Sequence, residues 1–367
     1  MKYLFGFILL IHGLFHIVGF VNAFYITDIS KQVLGIPKPF GTLWLITFIL
    51  FAVTASQFLN NKKWFYLGIT AVFVSQALII MAWKDAKLGT ILNLIILLVG
   101  ISAYGKYRFQ KMVDKESKEM YNGISKNITK VISEKDLNQL PNIIQTWLRH
   151  SGIIGKKEIV TVRLKQKGKM RTTPNSKWKP FVATQCFNTK SPSFVWSTTV
   201  HFSSIIKMIG RDKLLDGNGE VLIKLASLIP VVNESQNIRI NSGSMIRYLA
   251  EICWFPSAAL NNCITWESIN TTSAKATFTY KDTSVSGIFS FNDEGDLVSF
   301  EAQRYFSGNI EAKLESWLVE TVTFKTFNGI RIPSENKVTW KLSDGDFNWL
   351  NIEITDLEFN QPNCYKC

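Results

Sequence analysis

Arg247, Glu251 and Trp254 follow one another at i, i+4 and i+7 in the stretch 244–260, SMIRYLAEICWFPSAAL. A helix there sets a cation, a carboxylate and an indole on one face. Such a set can take a phosphate or carboxylate headgroup bidentately through the guanidinium, with Trp254 and Phe255 lining an acyl pocket. It can equally be an intrahelical ion pair, worth about a few tenths of a kcal/mol, beside an aromatic core plug. Arg211 stands before a Gly-rich turn, and Glu301 and Arg304 lie late in one strand, where they can face the helix charges. These residues are the candidate ligand-binding set.

A second constellation is His12 and His16, at i and i+4 inside an apolar segment. Histidine in a membrane is costly and turns to the bundle interior. The pair suits a haem, metal or quinone site, or a proton relay. The same pair can instead hydrogen-bond between helices, to Thr47, Thr54, Gln76 or Asn93. A second ligand pair is missing, so no metal or cofactor is assigned. No G-x-S-x-G, HExxH, Walker loop or dinucleotide fingerprint occurs, and no catalytic residue is named. Asp216-Gly217-Asn218-Gly219 opens like a calcium loop but lacks the later bidentate Glu. Five cysteines, an odd number, do not read as a disulfide framework. Cys364-Tyr-Lys-Cys367 is a lone C-x-x-C with little to support metal or redox work.

The elements that must position these groups fall into two classes. Residues 3–24, 40–59, 64–83 and 88–104 are apolar runs long enough to cross a membrane core of about 30 Å. Trp44, Trp64, Trp83 and Tyr104 mark their ends. With the N-terminus inside, Lys2, Lys62, Lys63, Lys106, Arg108 and Lys111 oppose Lys31, Lys38, Lys84 and Lys87. That bias predicts a multi-pass membrane protein with a cytoplasmic C-terminal domain. The formal charge of +13 is not spread evenly. Residues 1–105 carry seven Lys/Arg against two Asp/Glu, residues 106–181 eighteen against six, and the rest is acidic. The basic collar suits a linker beside anionic lipid headgroups, and nothing accompanies it that would recruit nucleic acid.

From residue 158 the hydrophobic period changes to two. Strands are expected at 158–167, 178–186, 194–201, 206–212 and 219–225. After the helix, at about 244–255, they are expected at 264–268, 275–280, 284–291, 297–304, 318–324, 337–342 and 348–359. The domains expected are therefore a four-helix membrane bundle over 1–108, a basic linker over 109–137 and a mainly β domain over 138–367. The fold class is an α-helical membrane bundle followed by a curved antiparallel sheet, or half-barrel, with a covering helix.

Leu140-Pro141, Trp147-Leu148-Arg149, Ser151-Gly152, Gly210-Arg211-Asp212, Arg247-Tyr248-Leu249-Ala250-Glu251, Trp254-Phe255-Pro256, Asn328-Gly329, Ile332-Pro333 and Trp340 together resemble a bacterial family of uncharacterised membrane proteins. The resemblance covers most of 140–359. Ile11-His12-Gly13, His16, Gly19-Phe20 and Ala23-Phe24 are similar to its membrane-anchored members. The sheet-plus-helix pattern also resembles the half-barrel of bacterial lipoprotein carriers, which hold acyl chains on a concave face beneath a helical lid. This resemblance implies a membrane-tethered binding module for a lipid-like or other apolar ligand, in contact with membrane lipids. A redox or cofactor protein using His12 and His16, or a scaffold for a protein partner, are the alternatives.

Overall fold

In the computed structural model the chain divides into two compact units, Met1–Phe109 and Gln110–Cys367. Residues 2–25, 36–124, 127–203, 206–361 and 363–365 are described. Lys31, counted above for orientation, and Cys367 lie outside them.

The first unit holds α1 (Lys2–Phe24), α2 (Lys38–Leu59), α3 (Trp64–Met81), the short α4 (Trp83–Ala86) and the start of α5 (Gly89–Met120). Four of these, all but α4, are long and apolar enough to cross a membrane. Small residues let α1 and α2 approach closely. A Cβ on Gly19 would come within 2.2 Å of the Trp44 ring, and one on Gly41 within 2.4 Å of the Ala23 Cβ. The fourth helix does not stop near Tyr104. Phe109, Val113 and Met120 keep a buried stripe at i, i+4 and i+11, so the segment expected as a basic linker is helical as far as Met120.

The second unit is built on thirteen antiparallel strands in one open sheet. They are β1 (Thr161–Met170), β2 (Lys179–Asn188), β3 (Ser193–His201), β4 (Lys207–Leu215), β5 (Asn218–Leu225) and β6 (Ile229–Glu234), then β7 (Ile264–Ser268), β8 (Ser273–Tyr280), β9 (Thr283–Phe291), β10 (Leu297–Tyr305), β11 (Leu314–Phe327), β12 (Ile330–Leu342) and β13 (Gly345–Phe359). The order is β6-β5-β4-β3-β2-β1-β13-β12-β11-β10-β9-β8-β7. Two meanders are thus joined at one seam, β1 against β13, running from Val162↔Phe359 to Met170↔Leu350. β6 and β7 are the free edges. β6 was not among the expected strands, and its Pro230 would count against a central strand. At an edge that argument lapses, since one side of the strand needs no donor.

Between β6 and β7 the chain forms α7 (Ile238–Glu251) and two short 3₁₀ turns, Ile252–Trp254 and Pro256–Leu260. The helix begins six residues before its expected start at 244. Asn237 caps it by accepting from the Arg239 N–H at 3.0 Å and anchors the cap by donating to Gly308 O at 2.8 Å. α7 packs on β4 and β5 from one meander and on β8, β9 and β10 from the other. Tyr248 shows the consequence, with its ring 6.3 Å from Phe187 of β2 and 5.3 Å from Phe278 of β8. Below the helix, α6 (Asn142–His150) sets Trp147 against Trp266, Phe289 and Phe291.

Asp296, in the β9–β10 turn, ties three segments together. It accepts from Arg331 Nε and Nη2 at 2.9 and 2.8 Å and lies 3.2 Å from His150 Nε2. The Arg331 hydrogen bonds hold its pKa below the usual carboxylate range, against the opposing effect of burial. A carboxylate with a depressed folded pKa stabilises the fold above its unfolded pKa, about 3.9, and that stability is lost as pH falls through the folded value. Asp296→Asn should cost about 2 kcal/mol at neutral pH. Urea titrations at several pH values should show the gap to wild type closing below about pH 4.

The C-terminal tail is fastened across the outer face of β1. Cys364 is disulfide-bonded to Cys186 of β2, 178 residues away. The Tyr365 hydroxyl donates to Asp356 and Glu358, and its ring lies under Arg163 and Lys165. The odd cysteine count had argued against such a bridge. The pair becomes close only through the β1–β13 seam, which no local spacing reveals.

Candidate functional site

The register of the first meander places Gln185, Trp196 and Asp212 side by side on neighbouring strands. They face inward, toward α7. Arg247 comes down onto this row with its guanidinium 4.8 Å from the Trp196 ring centre and 5.0 Å from that of Phe194. Its Nη1 donates to Asp212 Oδ2 at 2.8 Å and its Nε to Glu251 Oε1 at 2.9 Å. Gln185 Nε2 donates to Glu251 Oε2 at 2.7 Å, Gln166 Nε2 to Gln185 Oε1 at 3.2 Å, and Trp196 Nε1 to Gln166 Oε1 at 2.7 Å. A continuous polar chain therefore runs through the middle of an apolar interior.

Arg304 reaches toward the same cluster from the second meander. Its guanidinium lies 4.8 Å from the Trp317 ring centre and 5.7 Å from that of Trp340. Where α7 passes nearest to it, residue 243 is glycine. A Cβ there would stand 3.2 Å from Arg304 Nε. The electrostatics of the four charged groups differ. Burial opposes the Arg247 charge, but Glu251 and Asp212 more than offset it and raise its pKa. Burial raises the pKa values of Asp212 and Glu251, with Arg247 pulling against it in both. Arg304 is pushed down to about 10 by burial first and by Arg247 second, while Asp212 and Glu251 act in the opposite direction. It remains a cation at neutral pH.

The expected site residues thus separate. Arg247, Glu251 and Arg304 come together. Trp254 and Phe255 are core residues, with Phe255 fully buried and 4.7 Å from the Phe187 ring. Arg211 is buried on the opposite face of β4 from Asp212, where it meets Glu116 of α5 and Glu220. Glu301 is exposed on the outer face of β10 and accepts from Ser316 Oγ. Asp212, Gln185, Gln166, Trp196, Trp317 and Trp340 belong to the cluster but carried no signal as single residues. Only the strand register collects them.

Beneath Tyr248 and Phe255 the sheet and helix are filled by side chains. Phe187, Phe278, Tyr248 and Phe255 are each 0 % exposed. The strand ends nearest Arg304 are different. Met170, Met208, Leu342 and Leu350 are only partly buried against the core. The hairpins at that end carry Phe202, Ile206, Leu228, Phe306, Ile310 and Leu314, all exposed and Ile310 as much as 84 %.

In the first unit, His12 and His16 are buried in a separate network. His16 Nδ1 lies 2.9 Å from His12 O, so it carries the proton, and its Nε2 accepts from Ser75 Oγ at 2.9 Å. Asn93 Nδ2 donates to Ser75 Oγ and Gln76 Oε1, which leaves Asn93 Oδ1 to accept from His12 Nε2 at 2.8 Å. His12 Nδ1 is buried without a partner. The partners are Asn93 and Ser75 rather than Thr47, whose hydroxyl bonds back to Leu43 O, or Thr54. Both nitrogens of His16 are engaged, so a ligand could use it only by displacing Ser75 or the carbonyl. Among the described residues no group of three or more His, Cys, Asp or Glu side chains could hold a metal.

Residues 138–359 match the family described as "Family of unknown function (DUF6920)". No curated protein matches the chain. Solved structures similar to it include the following two. A LolA superfamily protein from Nitrosomonas europaea aligns with TM-score 0.34 and 9 % identity, over 59 % of this chain and 93 % of its own. A beta-barrel-like protein of the domain of unknown function DUF1849 from Brucella abortus aligns with TM-score 0.21 and 8 % identity, over 55 % of this chain and 98 % of its own.

Proposed function

Since the chain belongs to the DUF6920 family, whose function is unknown, its role has to be read from its own geometry, and we propose a membrane-tethered binding module for a lipid-like or other apolar ligand. The four apolar helices supply the tether, and the half-barrel supplies the site. The ligand does not lie under Tyr248–Phe255, because that volume is filled. It enters at the strand ends beside Arg304. The observation that carries this reading is the apolar rim there, contributed by the β3–β4, β5–β6 and β10–β11 connections. Scattered exposed apolar residues need no explanation, but a group of them around one end of a half-barrel marks a contact site.

The β unit faces an oxidising compartment in this proposal. Lysine and arginine counts of six against four favour the cytoplasm, but the Cys186–Cys364 bridge favours the other side. A structural disulfide is the more demanding of the two, because cytosolic reductants remove it.

Gentle extraction from the native membrane followed by native mass spectrometry tests the binding. The expected result is a co-purifying mass in the lipid range, lost in Phe306→Asp and Leu314→Asp variants that keep the wild-type melting temperature. Repeatedly empty protein that also shows no saturable binding of a dodecyl-chain fluorophore would overturn the proposal.

A further inference from the structure

Resting on the binding site just proposed, we infer that Arg304 and Trp317 hold an anionic group of the ligand, a carboxylate or a phosphate, so that the ligand class is an anionic amphiphile. Of the arginines with buried guanidinium atoms in the β unit, Arg211 and Arg247 have carboxylate partners, and Arg239, whose Nε is also unmet, donates through Nη2 to Ile310 O at 2.7 Å. Arg211 has Glu116 and Glu220, and Arg247 has Asp212 and Glu251. Among the described residues Arg304 has no carboxylate within ion-pair distance. Its Nε is buried without a hydrogen-bond partner, and so is the Nε1 of Trp317, the indole on which the guanidinium rests. Two donors on stacked side chains, one of them charged, are thus without an acceptor. Buried donors of this kind are rarely left unmet.

The neighbouring carboxylates do not fill the role. Asp212 and Glu251 are both within hydrogen-bond distance of Arg247. The four charges cancel formally, but the negative pair is gathered on Arg247 and the uncompensated cation is Arg304. The cluster therefore presents its positive end toward the partly exposed strand ends carrying Met170, Met208, Leu342 and Leu350. An acyl chain lying on those residues brings its polar end to Arg304. Guanidinium and carboxylate or phosphate match as a bidentate pair, and stacking on Trp317 and Trp340 holds the guanidinium plane in place.

The test uses the full chain in nanodiscs of zwitterionic lipid. Displacement of a dodecyl-chain fluorophore is measured with dodecanoate, dodecyl phosphate, dodecanol and inorganic phosphate. The two anionic amphiphiles should compete roughly ten- to a hundredfold better than dodecanol. Arg304→Gln should reduce them to the dodecanol level, leave dodecanol unchanged and keep the melting temperature, while Arg304→Lys should restore part of the preference. Equal competition by dodecanol and dodecanoate in the wild type would overturn the anionic subsite and leave the apolar site standing. Failure of every dodecyl compound to compete would overturn both. Competition by inorganic phosphate as strong as that of dodecyl phosphate would support an anion subsite at Arg304 and overturn the amphiphile.

Discussion

Arg247→Met should destabilise the β unit by about 3–5 kcal/mol, because it removes the cation hydrogen-bonded to both Asp212 and Glu251 and leaves Arg304 alone against two carboxylates. Glu251 is buried and Asp212 partly so, and Arg247, stacked on Phe194 and Trp196, is the side chain that donates to both. Gln185 can still donate to Glu251, but a neutral amide does not balance the charge. The prediction has a second half that separates structure from ligand binding. Combining Arg247→Met with Asp212→Asn and Glu251→Gln should recover most of the loss, since removing a hydrogen-bonded ion triad together is often energetically neutral. Thermal and denaturant unfolding of the purified full chain measures both steps. If the triple variant folds normally and still binds a dodecyl-chain fluorophore, the Arg247 group is a brace and Arg304 carries the recognition. A single variant as stable as wild type would show that α7 is not secured through Arg247.

Loss of the Cys186–Cys364 bridge should have a comparable effect, about 2–5 kcal/mol. The closed loop contains most of the β unit, with a sequence separation of 178 residues, and long loops gain the most from closure in the chain-entropy account. Cys186→Ser and Cys364→Ser should each lower the denaturation midpoint, and the double variant should do no more than either alone. The same pair reports on topology. In protein taken from its native membrane with thiols blocked at lysis, Cys186 and Cys364 should label with a maleimide only after reduction. Buried Cys253, whose thiol burial holds largely protonated, should label only on unfolding. Free thiols at Cys186 and Cys364 in the native membrane would place the unit on the reducing side and restore the orientation read from the lysine and arginine counts.

Much of this fold was legible in the sequence, for identifiable reasons. Alternation of apolar residues located strands such as 264–268 and 284–291 closely, because period two is imposed by a half-buried sheet. The helix around Arg247 stood out because RYLAEICW has apolar residues at helical spacing. Its first turn did not, because IRINS is polar and β-branched and its helicity depends on the Asn237 cap and on the close approach of Ile240 to Gly219. The four apolar spans were plain, but the continuation of α5 was hidden by charges that surround a buried stripe. The site was the least legible part. Arg247, Glu251 and Arg304 could be proposed from residue type alone. Their partners Asp212, Gln185 and Trp317 depend on which strands are neighbours. Arg211 and Glu301 were misplaced because one step along a strand reverses the face, and no local pattern said which face was inside.

The seam between β1 and β13 has a consequence for how the chain reaches this fold. Every other strand pairing joins strands that are consecutive along the chain, so each meander can assemble from local hairpins. β1 is made early in synthesis and its partner last, so one long edge must wait, unpaired, until Gly345–Phe359 arrives. Non-local pairing of this kind slows folding, and a waiting edge invites association with other chains. Nascent chains stalled before residue 345 should therefore be the aggregation-prone species. The oxidised tail acts as a latch thrown after the seam has closed.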